Sequence, residues 1–363
     1  METPGFVSLS LRQARAFAPR RVTGRLAIGL LALGVTACDD RPDRRTFEFS
    51  GPTMGTTFSV KIVTGPEGLA GSTRTRVDRL IHAELERISD IMSTWDPESE
   101  LSRFNRSASV DPFRVSPDTF ELFRWALELG ALTDGALDVT IAPLVDAWGF
   151  GPDGRAGAGP SDTEIARLRE TTGIQYLELD AAAVTVRKGR PEVACDFSAL
   201  APGYAADRIW ATLSDQGMHD FLVDVGGELR ARGRNDTGAP WRVGIERPQT
   251  VGRAIERTVP ILDKAIATSG DYRNYYEVDG SRVAHIIDPR TGRPIQHRLA
   301  SVTVIDDLAV RADGMSTALM VLGPDEGFAL AERLDLAVLF IVRNEQGGFT
   351  ERPTPRFDAV TEQ

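Results

Sequence analysis

The chain has 363 residues, 42% of them hydrophobic, with 42 basic against 52 acidic side chains for a formal charge of −10. That length suffices for one large core or two ordinary ones, and the acidity, with no long basic run, excludes a general nucleic-acid binder. Two cysteines exclude a disulfide scaffold or a Cys-rich cluster, and four histidines leave little for a multi-His metal centre, whereas a hard cation on oxygen ligands stays open.

The N-terminal segment reads as an address. Arg12, Arg15, Arg20, Arg21 and Arg25, against the single acid Glu2, precede an apolar run from Leu26 to Val35 and then Thr36-Ala37-Cys38. A basic start, a short apolar stretch and small residues make an export signal too short to span a bilayer. Its ending resembles a bacterial lipobox, so residues 1–37 are expected to be removed and Cys38 lipidated. Asp39 beside it resembles the signal that keeps a lipoprotein on the inner membrane, which places the chain on that membrane's periplasmic face. Losing five arginines and one glutamate takes the charge from −10 to −14 over the remaining 326 residues. Cys195 is then the one unmodified thiol, expected as a small buried residue.

Residues 38–46 read as a charged tether, 47–350 as the folded domain and 351–363 as a C-terminal tail. Alternation in 47–49 and 58–62 predicts two strands around a Gly51-Pro52 turn. Val77, Leu80, Ile81, Leu85, Ile88, Ile91 and Met92 recur at helical spacing and predict a long amphipathic helix. Ser116-Pro117 opens another helix, which Gly130 is expected to close. A Gly-rich loop at 151–160, a hairpin at 176–179 and 184–187, and a helix over about 203–213 follow. Strands at 221–225, 241–245, 301–305 and 337–342 alternate with helices near 313–322 and 325–334. Short turns between neighbouring strands favour an α+β domain, a single compact unit of mixed or antiparallel sheets packed with helices.

No Gly-x-Gly-x-x-Gly follows a strand, no Gly-Lys-Ser/Thr phosphate loop exists, and no Gly-x-Ser-x-Gly elbow is present. What stands out instead are nine small polar clusters rich in turn residues, from Thr53-Met54-Gly55-Thr56 to Asp313-Gly314-Met315-Ser316-Thr317. Asp313 and Thr317, at i and i+4, share one helix face and bring a carboxylate and a hydroxyl together, a pair suited to Mg²⁺. The same aspartate could equally serve the positive end of its helix. His285, before the Asp288-Pro289 turn, has the chemistry of a base near neutral pH and equally that of a structural hydrogen-bonder.

In order and spacing, the clusters resemble the ApbE family of flavin transferases. The resemblance is carried by Thr53-Met54-Gly55-Thr56, Gly135-Ala136-Leu137-Asp138-Val139-Thr140 with Trp148-Gly149-Phe150, Val223-Asp224-Val225-Gly226-Gly227-Glu228, Thr268-Ser269-Gly270-Asp271-Tyr272-Arg273, and His285-Ile286-Ile287-Asp288-Pro289. It implies Mg²⁺-dependent transfer of FMN from FAD onto a threonine or serine hydroxyl of an acceptor flavoprotein, with release of AMP. By the same resemblance Asp313, Thr317 and the Ala199 carbonyl are implied Mg²⁺ ligands. Met54, Trp95, Ala136, Leu137, Asp138, Asp196, Ile287 and Ser316 are implied FAD contacts, and His285 the implied general base. The implied acceptors are subunits of Na⁺-pumping NADH:quinone reductase or Rnf-type complexes, or the flavoprotein of nitrous-oxide respiration. One departure stands out: Ala201-Pro202-Gly203-Tyr204 replaces the frequent Ala-Lys-Gly-Tyr, removing a cation that Arg273 or Arg290 would have to supply. Two other functions fit the same residues: FAD hydrolysis to FMN and AMP, and FAD binding without turnover in a periplasmic lipoprotein.

Overall fold

The computed structural model describes residues 44–152, 159–249, 254–272, 275–278 and 281–362. The expected leader and Cys38 lie outside them. From residue 44 on, the chain forms one compact unit around an eight-stranded sheet. In spatial order the strands are Arg45–Thr53, Thr56–Thr64, Phe221–Val225, Glu228–Arg232, Ala265–Gly270, Leu299–Asp306, Ala337–Arg343 and Phe349–Pro353. Every neighbouring pair is antiparallel, so the α+β expectation holds.

Period-two alternation sends side chains to two cores. Val302, Val304, Val338 and Phe340 face the larger core, which the helices Gly71–Met92, Pro117–Leu132, Ala201–Asp215 and Ala309–Arg333 cover. Ile305, Leu339 and Ile341 face the opposite side, where they pack with the hairpin Trp241–Glu246/Ile255–Ile261 and the helix Pro355–Thr361. The functional clusters gather at the helix-covered face.

The expected helix in the seventies to nineties runs Gly71–Met92 with Val77, Ile81, Leu85, Ile88 and Met92 buried. Ser116 caps Pro117–Leu132, its side chain accepting from the Thr119 amide, and Gly130 lies inside this helix instead of ending it. The last long helix is the two expected segments joined at a break, since Gly323 has φ 81° and Pro324 follows. His297 Nε2 lies 2.8 Å from the Met320 carbonyl just before that break.

Three boundaries differ from the sequence reading. Gly51 and Pro52 are inside the first strand, and the turn falls at Met54-Gly55, both at positive φ as a two-residue hairpin requires. Proline is tolerated there because the strand is an edge. The domain also begins earlier than 47: Arg45 opens a strand, and Arg44 donates to the Asn235 carbonyl and pairs with Asp220. At the other end the expected tail is structure. Phe349–Pro353 is the last strand, and Thr354 caps a helix whose Phe357 is fully buried. A Thr-Pro start and one large aromatic are enough to dock so short a helix. Among the described residues no helix is long and apolar enough to cross a membrane.

Candidate active site

The site is built where the start of the Ala201–Asp215 helix meets the middle of the Ala309–Arg333 helix. Pro202 is near the first turn and has no amide to offer. Gly203 lies in the first turn, where a helix amide has no carbonyl of its own helix to reach, and its amide donates to Asp313 Oδ2 at 3.0 Å. Ala199 stands one residue before Leu200, whose carbonyl accepts the first helix amide, from Tyr204, so the Ala199 carbonyl precedes the helix ladder. Only glycine allows this approach, because a Cβ at position 203 would sit 2.5 Å from the Ala309 carbonyl oxygen and 2.8 Å from the Asp313 Cβ.

Asp313 is buried, and its pKa is pushed well above the ordinary carboxylate range by burial and by the neighbouring Glu228 carboxyl. Glu228 is itself pushed up to about 8 by burial and by Asp224. Among the described residues neither Asp313 nor Glu228 forms an ion pair with a cation. A buried carboxyl beside a half-buried one, with no cation paired to either among the described residues, matches the demand of a hard metal ion. Around them are hydroxyls: Ser269 Oγ is 2.8 Å from Ser316 Oγ and 2.9 Å from Thr317 Oγ1, and Ser316 Oγ donates to the Asp313 carbonyl at 2.9 Å. Among the described residues no three His, Cys, Asp or Glu side chains converge into a metal cluster. A cation here would thus take carbonyl and hydroxyl oxygens beside its carboxylate, which is the donor set of Asp313, Thr317 and Ala199. That set fits Mg²⁺.

The other expected residues surround this centre to different degrees. Leu137 and Leu200 close on Gly314, where a Cβ would lie 3.3 Å and 2.7 Å from their methyl carbons. This places the 136–138 segment against the Asp313 turn. Ala136 and Leu137 are buried; the Asp138 carboxylate points inward, accepting from the Thr140 amide and hydroxyl and from the Ile174 amide. Burial nevertheless raises the pKa of Asp138. Asp196 ties to this segment through its amide, which donates to the Val139 carbonyl at 2.7 Å, and its carboxylate accepts from the Ser198 amide. Met54 occupies the left-handed turn position of the first hairpin. The strand after that turn reaches the centre, because a Cβ on Gly226 would be 3.2 Å from Thr56, 3.1 Å from Glu228 Oε2 and 3.8 Å from Pro202.

Trp95 is 69% exposed on a loop pinned by Ser93, whose hydroxyl accepts from the Trp95 and Asp96 amides. Ile287 is buried beside Trp148 and Phe150, with Trp148 Nε1 donating to the Gly292 carbonyl at 2.9 Å. His285 is half-buried and edge-on to Phe150, ring centres 6.3 Å apart. Arg290, one of two cations expected to replace the missing lysine, is held by Asp288 and Glu326; Arg273, the other, lies outside the described residues. Cys195 is a buried free thiol, as expected.

Sequence reasoning assigned no role to Glu228 or Ser269. Both stood inside clusters it singled out, but each sits at the end of a strand where a side chain's direction depends on register. Glu228 follows the Gly226-Gly227 turn, both glycines at positive φ, and so opens the next strand facing Asp313.

Comparison with known proteins points to one family. A profile of the ApbE family matches residues 54–340. The FAD:protein FMN transferase of Vibrio cholerae is 44% identical over 88% of this chain and 94% of that protein. That of Salmonella typhimurium is 40% identical over 92% and 95%. Among solved structures, flavin transferase ApbE from Vibrio cholerae superposes with a TM-score of 0.79 at 42% identity, covering 87% of this chain and 99% of that one. The apo form of Pseudomonas stutzeri flavinyl transferase ApbE gives 0.80 at 40% identity, covering 88% and 98%. By sequence, by fold and by the order of its site clusters, this chain belongs to the ApbE family.

Proposed function

We propose that the chain is an FAD:protein FMN transferase that moves FMN from FAD to a threonine or serine hydroxyl of an acceptor flavoprotein. The observation that carries this reading is the junction at Asp313: a buried carboxyl that accepts from the Gly203 amide, with the Thr317 hydroxyl one turn on and, among the described residues, no cation paired with it. Mg²⁺, held by Asp313, Thr317 and the Ala199 carbonyl, would offset the charge of the pyrophosphate and of the departing AMP.

The protein's own residues have the remaining tasks. Trp95 presents an indole face to solvent, and Met54 an adaptable thioether at a fixed turn; both suit the flat rings of FAD. The Asp138 carboxylate is taken up by Thr140 and by the Ile174 amide, so residues 136–138 serve FAD through backbone and through the shape that Leu137 gives the site. The acceptor oxygen forms a bond to the flavin-side phosphorus as the bond from that phosphorus to the AMP oxygen breaks. AMP leaves with the electron pair, and the hydroxyl proton passes to His285.

The expected setting is the periplasmic face of the inner membrane, with Cys38 as the lipid anchor. The expected acceptors are the flavoprotein subunits of Na⁺-pumping NADH:quinone reductase, Rnf-type or nitrous-oxide-respiration systems. Support comes from the signal-like N-terminus and from the family's membership. The test incubates the protein with FAD, Mg²⁺ and a threonine-bearing acceptor domain. The expected result is a fluorescent acceptor band that survives denaturation, with one AMP released per flavin attached. AMP release with no labelled acceptor across those acceptor classes would replace transfer by hydrolysis, and FAD binding with no AMP would reduce the protein to a binder.

A further inference from the structure

Lys188 ends a hairpin strand and is 2% exposed. Lysine is almost never buried unless paired, yet among the described residues Lys188 has no carboxylate at ion-pair distance. Its Nζ faces four backbone carbonyls instead: Asn105 at 3.3 Å, Ser107 at 2.7 Å, Pro191 at 3.2 Å and Val193 at 3.1 Å. Two of these belong to the C-terminal end of the Glu100–Arg106 helix, where carbonyls point outward and favour a cation. The other two belong to the loop leading to residues 195–199. The Phe104 ring, 5.2 Å away, closes one side.

Asn105 extends the same joint. Its Nδ2 donates to the Cys195 carbonyl and its Oδ1 accepts from the Cys195 amide, both at 2.8 Å. A two-point clamp on one peptide residue fixes direction as well as position. Immediately beyond it the Asp196 amide donates to the Val139 carbonyl, Phe197 packs edge-on to Phe123 at 4.9 Å, and the chain reaches Ala199. The segment that runs through Asp196 and Ala199 to Gly203, whose amide meets Asp313, is therefore held from behind by one ammonium and one carboxamide.

We propose that Lys188 and Asn105 are positioning residues for the site: together they lock residues 195–199 so that Asp196 and the Ala199 carbonyl are presented ready for FAD and the metal. Neither touches the reacting atoms. The lock rests on the proposed reading of Asp196 and Ala199, and it adds the machinery that places them. A buried ammonium solvated only by backbone carbonyls is a costly way to hold a loop. Its four acceptors come from two chain segments, which an apolar side chain could fill but could not register against each other.

The test uses the variants Lys188→Met and Asn105→Ala beside the wild type. Amide hydrogen exchange is read at 195–199, with the Phe221–Val225 strand as internal reference. FAD binding is read by flavin fluorescence without metal and with Mg²⁺, and KM for FAD is separated from kcat. Expected in each variant is at least a tenfold faster exchange at 195–199 with the reference strand unchanged. FAD affinity should fall about tenfold, KM for FAD should rise alike, and kcat at saturating FAD should stay within about threefold. A lowered melting temperature with unchanged exchange and unchanged FAD affinity would show a merely structural joint and overturn the proposal. Should Lys188→Met fail to fold, Asn105→Ala, which keeps the ammonium in place, decides alone. A wild type that binds no FAD would defeat the proposed function, while the exchange at 195–199 would still accept or reject the lock.

Discussion

Asp207 and Asp313 are carboxyls lying where the same two helices meet, the first partly exposed and the second buried, yet their surroundings are opposite. Asp207 accepts from the Ala309 and Val310 amides at 2.9 and 3.0 Å and pairs with Arg230 at 2.8 Å, so it caps the helix that bears the site. Burial raises its pKa, against the opposing pull of Arg230 and the two amides. Asp313, one turn further along, accepts from the Gly203 amide and has a neighbouring carboxyl, with no cation paired to it among the described residues. The first arrangement is complete within the protein. The second is complete only when something positive arrives, and that difference separates a structural carboxylate from one poised for a ligand.

Substitution should split the pair. Asp313→Ala is expected to lower flavin transfer by about three orders of magnitude, since a lost metal contact removes several kcal/mol from transition-state stabilisation. It should leave the metal-free melting temperature nearly unchanged, because removing a desolvated carboxyl offsets the loss of its hydrogen bond from the Gly203 amide. Asp207→Ala should do the reverse to stability, costing about 3–5 kcal/mol by leaving Arg230 unpaired and two helix amides uncapped. Melting curves with and without Mg²⁺ check both. An Asp313→Ala protein that retains full transfer would remove it from the metal site.

Proton linkage sharpens the contrast. Glu228 and Asp313 hold protons above the ordinary carboxyl range in the metal-free fold. The folded state therefore binds more protons than the unfolded chain up to about pH 8, and these groups make the metal-free protein lose stability as pH rises toward that value. Mg²⁺ favours the ionised carboxylates. Its stabilisation should be small near about pH 6 and grow toward about pH 8, reaching about 2–3 kcal/mol at a hundredfold excess over its dissociation constant. A Mg²⁺-dependent melting shift that is flat across that range would break the link between the acidic pair and the metal.

Much of this was legible in the sequence, for reasons visible in particular residues. Helix periodicity found Gly71–Met92, and the i, i+4 spacing of Asp313 and Thr317 put them on one face. What spacing could not show is closure over 110 residues: that the first-turn amide of Gly203 meets Asp313 depends on how two helices pack. The Met54-Gly55 turn was misplaced at Gly51-Pro52 because proline reads as a breaker until its strand is known to be an edge. Ser269 and Glu228 escaped because strand register decides which way they face. Lys188, in an unremarkable Val-Arg-Lys strand end, had no signal at all; only the carbonyls gathered around it reveal what it holds.

The smallest expected effect concerns Ser269 and follows from counting protons. The Ser316 hydroxyl donates to the Asp313 carbonyl, so in its contact with Ser269 it must accept. Ser269 has one proton and spends it there, which obliges Thr317 to be the donor in the 2.9 Å Thr317–Ser269 contact. With its proton directed at Ser269, the Thr317 oxygen keeps its lone pairs for a cation, whereas a freely rotating hydroxyl would present them only part of the time. Ser269→Ala removes that acceptor at a cost of about 1 kcal/mol in orientation. The half-saturating Mg²⁺ concentration should therefore rise about fivefold, while transfer at saturating Mg²⁺ stays within about twofold and Ser269→Thr, which keeps a hydroxyl, restores most of the loss. Unchanged Mg²⁺ dependence in Ser269→Ala would mean that Thr317 does not rely on this chain of hydroxyls, and the contrast would then rest on Asp313 and Glu228 alone.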